Sequence, residues 1–401
     1  MEPAEPSVQG PSSGLPQLRI EREKHGKHIP ALDGLRGLAI LMVLGMHLGG
    51  GRHSSFLLIR IIAGAIRIGW SGVTLFFVLS GFLISGILWD SFQKAGWWKR
   101  FYYRRSLRIF PLYYLCLIYA ALLILVFRPG VLHDLTIFVF YLQDFPWFYK
   151  ATSQLHLPLL SIDHFWSLAV EEQFYLVWPF FLFALRKHRK AAIVASLLVV
   201  LASLGFRLTM LGIHADQHWV YNAPMGRAGE LAMGAALALI LRGPPHEQAQ
   251  LYRLIPAGLT LASISLLALT IATRGSFETT QDLWLGWGIL CLALAFTCVL
   301  ALCLRPGPLQ RLFENRLLRW YGRISYGVYV FHPLVAAACA WLIQMYFSSH
   351  EASTALEAFN SVVVIAGTTL LAFISFYTYE SYFLRLKDGL PTANRTAEVL
   401  G

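Results

Sequence analysis

Residues 29–48 read IPALDGLRGLAILMVLGMHL. The stretch is long enough to cross a bilayer, which takes about 20 apolar residues. Yet it carries Asp33, Arg36 and His47. An ionisable side chain in hydrocarbon costs at least ~2.5 kcal/mol and by default marks function. Arg36 and His47 are eleven positions apart. At ~100° per residue that is about three turns, so both lie on one helix face, roughly 16 Å apart along the axis. Arg36 is expected near one membrane surface and His47 near mid-bilayer. Two readings stand. One is an anion handle at the rim with a proton-transfer group at depth. The other is a snorkelling arginine and a histidine satisfied by a neighbouring helix.

The rest of the chain extends that pattern. Of its 401 residues 56% are hydrophobic and 14% charged, and the mean hydropathy is +0.55. Together with repeated apolar runs near twenty residues, this excludes an ordinary soluble domain. Ten spans are expected, at about 35–51, 70–89, 109–127, 166–185, 191–212, 225–241, 254–273, 283–304, 324–347 and 359–384. Of the 33 Lys and Arg, 25 fall on one face of that topology. The positive-inside rule therefore places both termini in the cytoplasm, and it accounts for the net charge of +11 without nucleic acid. The fold class is an all-α polytopic membrane protein of the cell membrane. A disordered tail at 1–29 precedes a transmembrane domain at 30–385, and a short cytoplasmic tail follows at 386–401. The lipid bilayer is its first partner. The five cysteines lie in apolar runs without metal spacing and read as packing residues. No metal site is expected. The aromatic-rich connection at 129–165 is expected to lie in the membrane interface as short helices.

Three more clusters stand out. In GWWKRFYYRRSLRIFPLYYL (96–115), Arg105 and Arg108 share a helix face, with Arg104 beside them. Planar guanidinium forks pair with phosphate, so this is a candidate clamp for a phosphorylated coenzyme. Ordinary positive-inside charge is the plainer reading. In SIDHFWSLAVEEQFYLVWPF (161–180), Ser167, Glu171 and Tyr175 share a face and Glu172 stands next to them. Two adjacent carboxylates in an apolar entry exceed what helix capping needs. They suggest a buried polar network or a site for a hydroxyl-rich acceptor. In RISYGVYVFHPL (323–334), Ser325, Tyr329 and His332 share one face. His332 is expected at a depth like that of His47. It either faces a common cavity or bonds a carbonyl freed by Pro333. Asp33 is placed to orient Arg36 or to cap the helix start. Arg227 and Glu230 are expected to form a buried ion pair. No P-loop, HExxH or GxSxG motif appears. Gly69, Gly72 and Gly81 read as small residues for close helix packing.

Taken in order, LDGLRGLAILMVLGMH, GVTLFFVLSGFLI, RRSLRIFPLYYL, FWSLAVEEQFY and SYGVYVFHPL resemble the acyltransferase 3 family of integral membrane O-acyltransferases. The resemblance covers roughly residues 30–384. It implies transfer of an acyl group, most commonly acetyl, from cytoplasmic acyl-CoA to a hydroxyl of a glycan, lipid-linked sugar or other envelope acceptor. Acyl-CoA is then a donor co-substrate rather than a tightly bound cofactor. Arg36 and His47 match the family's Arg/His pair. Arg105 and Arg108 match its Arg-x-x-Arg, expected to engage the coenzyme phosphates. His47, Arg36 and Glu171 are the expected catalytic residues. Arg104, Arg105 and Arg108 are the expected coenzyme contacts. Asp33, Glu172, Ser325, Tyr329 and His332 are expected as support. Some relatives carry a further C-terminal esterase-like domain that is not read here, which leaves transfer by the membrane domain alone or a separate envelope partner protein. The competing function is a polytopic transporter or flippase for an envelope precursor, although no internal repeat supports it.

Overall fold

The computed structural model describes residues 29–47, 68–148, 155, 157, 159–278, 281–346 and 354–386. The tails expected at 1–28 and 387–401 lie outside the described residues, as does the side chain of His47. The fold is all-α. In chain order the helices are α1 (Pro30–His47), α2 (Ser71–Ser91), α3 (Trp97–Phe127), α4 (Leu135–Val139) and α5 (Trp166–Ala184). Next come α6 (Arg189–Gly212), α7 (Gln217–Asn222), α8 (Pro224–Ile240), α9 (Pro245–Ala272) and α10 (Ile289–Cys303). The last are α11 (Pro308–Phe313), α12 (Arg316–Tyr346), α13 (Thr354–Ser375) and α14 (Ser381–Leu386). Each expected span contains helix over its described residues. Among the described residues, seven stretches are long and apolar enough to cross a membrane. The other three are α1, α5 and α8, of 18, 19 and 17 residues. These three carry ionisable residues that shorten or dilute their apolar runs.

Local chemistry explains the boundaries. Pro224 and Pro245 stand in the first turns of α8 and α9, where a missing N–H costs nothing. Asp216 caps α7 by accepting the Trp219 N–H at 2.7 Å. Pro333 lies inside α12 and frees the Tyr329 carbonyl. The His332 Nδ1 takes up that carbonyl at 2.8 Å, so the ring serves the backbone as the plainer reading expects.

The centre of the bundle is α1, α2, α8 and α12, and glycines let them meet at backbone distance. A Cβ on Gly37 would strike the Leu318 carbonyl, and one on Gly322 would strike the Asp33 carbonyl, so α1 and α12 touch there. Gly81 and Gly234 do the same for α2 and α8 against the carbonyls of Leu231 and Val78. Gly69 and Gly72 pack on α1 at Met42 and Ala39. Cys116, Cys298 and Cys303 are buried and all five cysteines are free.

The basic end of the bundle is tied by Arg242 to Asp90 (2.6 Å) and Arg189 to Glu247 (2.5 Å). At the opposite end, the 129–165 connection departs from its expected interfacial course. A 3-10 turn (Pro129–Asp134) and α4 form as short helices. The chain then turns inward. Tyr141 stacks on Tyr113 of α3 with centroids 4.4 Å apart, and its carbonyl accepts Gln173 Nε2 of α5 at 2.7 Å. Gln143 and Asp144 are buried there, 4% and 2% exposed.

Substituting Gly81 by Leu should lower stability by about 1–3 kcal/mol, the usual cost of overpacking. Gly205→Leu is expected to be near neutral, because no atom lies within 4 Å of a Cβ there. Thermal unfolding midpoints of the two variants in detergent compare the effects.

Candidate active site

A cavity of ≈ 190 Å³ opens between α1, α2, α3, α5 and α12. Arg36, Arg105, Arg108 and Glu171 face it, and Ser167, Ser325, Tyr326 and Tyr329 line it further on. Phe76 and Phe77 of α2 form an apolar wall.

The three guanidinium groups differ. Arg36 Nη1 bonds Asp33 Oδ1 at 3.3 Å, so Asp33 orients Arg36. Arg105 is ion-paired through α5. Its Nη2 lies 3.3 Å from Glu171 Oε2, and its Nε lies 3.9 Å from Glu172 Oε1. The same Nη2 donates to the Tyr175 hydroxyl, and the guanidinium stacks over the Tyr175 ring at 3.9 Å. Tyr175 in turn donates to Glu171 at 3.0 Å and pairs with Ser80 of α2. Arg108 lines the cavity with no hydrogen bond or ion pair among the described residues. A guanidinium held at a cavity wall without a carboxylate is an anion receptor by its chemistry. Arg104 points elsewhere. It is exposed and is not part of the cavity lining.

Past Glu171 the lining becomes neutral and hydroxylic. Ser167 Oγ and the Tyr329 hydroxyl lie 2.5 Å apart, and Tyr329 donates to the His164 carbonyl at 2.9 Å. The His164 ring stands edge-on to the His332 ring, with centroids 5.3 Å apart. Ser325 closes onto its own helix by donating to the Gly322 carbonyl at 2.9 Å. The cavity therefore grades from guanidinium and carboxylate at one end to hydroxyl and imidazole at the other. His47 is the last residue of α1.

Several participants escaped the sequence reading. Ser80 is a lone polar residue in FFVLSGFL, on the same face as Phe76 and Phe77, and that isolation was the available signal. The sequence places Tyr175 on the Ser167–Glu171 face and His164 in the same segment, but their partners come from tertiary contacts. Arg227 and Glu230 form the expected buried pair at 2.9 Å, with side chains 0% and 2% exposed. This pair sits behind the Phe77 wall rather than in the cavity, with the guanidinium over the rings of Phe77, Trp166 and Tyr221. No three metal-ligating side chains come together among the described residues.

An all-helical, multi-pass bundle with an arginine-faced internal cavity defines an integral membrane protein whose site suits an anionic ligand. A family model described as an acyltransferase domain matches residues 29–380. The chain belongs to this acyltransferase 3 family. It is 30% identical over 394 residues to the peptidoglycan O-acetyltransferase OatA of Listeria monocytogenes, covering 90% of this chain and 58% of that protein. It is 27% identical over 384 residues to the O-acetyltransferase OatA of Staphylococcus aureus, covering 90% of this chain and 58% of the relative. The chain thus spans little more than half the length of these relatives. No solved structure matches.

Glu230→Ala strands the Arg227 charge in a dry interior. It should cost about 3–5 kcal/mol, visible as a large fall in thermal midpoint. Arg104→Ala, at an exposed position off the cavity, should leave the midpoint unchanged within error.

Proposed function

We propose that the protein is a plasma-membrane O-acyltransferase. It passes an acyl group, acetyl in the commonest case, from cytoplasmic acyl-CoA through the bundle to a hydroxyl of an envelope glycan. The observation that carries this reading is Arg108, a guanidinium without a carboxylate on the wall of a cavity that leads toward the histidine cluster. The basic end of the bundle is taken as cytoplasmic, in keeping with the positive-inside rule.

In this reading Arg108 and Arg36 hold anionic groups of the coenzyme. Arg105 acts through others, fixing Glu171 and Tyr175 and so the shape of the passage. The pantetheine arm extends past Ser325 and Tyr329. His47 is the general base, a role that suits an imidazole because its unperturbed pKa of ~6.5 lies near working pH. It takes the proton of the acceptor hydroxyl as that oxygen bonds to the thioester carbonyl carbon. The C–S bond then breaks, and the imidazolium returns the proton to the thiolate. The names of the relatives support peptidoglycan as the acceptor. Delivery can be completed by the membrane domain alone or by a partner protein at the outer face. The flippase reading has no observation in its favour.

The test is acetyl transfer and thiol release by protein in nanodiscs. Hydrogen bonds to charged groups contribute about 1.5–3 kcal/mol, so Arg108→Ala should raise the half-saturating acetyl-CoA concentration about ten- to a hundredfold. His47→Ala should slow transfer by about 10²–10⁴. Unchanged donor saturation in Arg108→Ala would remove the anion-receptor role. Full activity in His47→Ala would remove the base.

A further inference from the structure

The inward turn at Tyr141–Asp144 has no part in the donor site described above. Its backbone is irregular, and Tyr141 adopts a left-handed conformation at φ 56° that non-glycine residues rarely take. Irregular backbone inside a membrane bundle persists where it is enclosed by protein or borders a polar cavity. Strained residues of this kind concentrate at ligand sites.

The side chains on this turn are unusual in their bonding. Tyr141, Gln143 and Asp144 are 8%, 4% and 2% exposed. Yet the Tyr141 hydroxyl, Gln143 Oε1 and both carboxyl oxygens of Asp144 have no hydrogen-bond partner among the described residues. Buried polar atoms are nearly always paired in folded proteins, so four on one turn mark a place made for a ligand. The Gln143 oxygen accepts, whereas the Tyr141 hydroxyl and a protonated Asp144 carboxyl can both donate and accept, so the set matches hydroxyl groups, which do the same. Burial also pushes the Asp144 carboxyl well above the usual carboxylate range.

The turn is tied to the start of α5, the helix that supplies Ser167 to the cavity. Gln143 Nε2 donates to the Phe165 carbonyl at 3.0 Å, two residues before the cavity-lining Ser167. Trp219 Nε1 fixes the Asp144 carbonyl at 3.1 Å, which anchors the backbone while leaving the carboxyl uncommitted. An aromatic wall with a carboxyl and an amide oxygen is the chemistry that grips a sugar, with O–H groups donating and ring faces stacking.

We propose that Gln143 and Asp144 form the acceptor subsite and bind hydroxyls of the polyhydroxylated acceptor next to the reacting centre. This rests on the acyltransferase reading and names where the acceptor sits. The binding is non-covalent, and Tyr141 contributes a wall and a hydroxyl.

The experiment uses the full chain in nanodiscs, with acetyl-CoA as donor and a soluble N-acetylglucosamine–N-acetylmuramic acid disaccharide as acceptor. Half-saturating concentrations of both substrates are measured for wild type, Asp144→Asn, Asp144→Ala and Gln143→Leu. The expected result is a rise of about tenfold or more in the acceptor value for Asp144→Ala and Gln143→Leu. A smaller rise is expected for the isosteric Asp144→Asn, with the donor value moving less than twofold in all three. A thermal midpoint near wild type for Asp144→Asn keeps the comparison free of misfolding. Equal changes in both substrates, or none in the acceptor, overturn the subsite. Loss of transfer on chelation, restored by a divalent cation, also overturns it and reassigns the oxygens to a metal. Absence of transfer by the wild type would instead count against the acyltransferase reading.

Discussion

The Arg105 guanidinium is the charge on which the interior depends. It sits in α3, pairs with Glu171 and Glu172 of α5, lies on the Tyr175 ring, and reaches Ser80 of α2 through the Tyr175 hydroxyl. In hydrocarbon an unpaired charge is costly and a paired one still carries a desolvation penalty. This ion-paired hub therefore fixes the spacing of three helices around a polar interior. Arg108 makes no such pair among the described residues, although the two arginines look equivalent in sequence. Spacing of three on a helix shows that they share a face, and only the neighbouring helix decides their division of labour.

A second constraint comes from glycine. Backbone-to-backbone contact at Gly37, Gly322, Gly81 and Gly234 brings α1, α2, α8 and α12 together tightly enough that ionisable side chains meet partners rather than lipid. The Arg227–Glu230 pair behind the Phe77 wall is a by-product of that closeness. It adds rigidity next to the cavity and has no access to it.

Much of this was legible in the chain. The helical character of the expected spans was legible over their described residues, because hydropathy over twenty residues reflects the solvent and depends little on tertiary detail; seven of them are long and apolar enough to cross a membrane. The glycines at 69, 72 and 81 were readable as contacts, and Asp33 was readable as the partner of Arg36. The grouping of Arg36, Arg105, Arg108, Glu171, Ser325 and Tyr329 around one cavity was implied by family resemblance and by shared helix faces. Other features were illegible for physical reasons. The Arg105–Tyr175–Ser80 link joins residues from three helices, and no periodicity encodes such a meeting. The inward turn at Tyr141–Asp144 looked like an interfacial stretch because its aromatics suit both settings, and only its buried polar groups tell them apart. His332 Nδ1 bonds the carbonyl freed by Pro333, one of the two roles the sequence left open for it.

The central claim is that donor and acceptor meet through the bundle from opposite sides. Proteoliposomes with one known orientation test it directly, with labelled acetyl-CoA supplied only at the arginine-rich face and a glycan acceptor confined to the other. The account predicts acetylated glycan on the far side, with free thiol released where the donor was added. Transfer only when donor and acceptor share a side would contradict it.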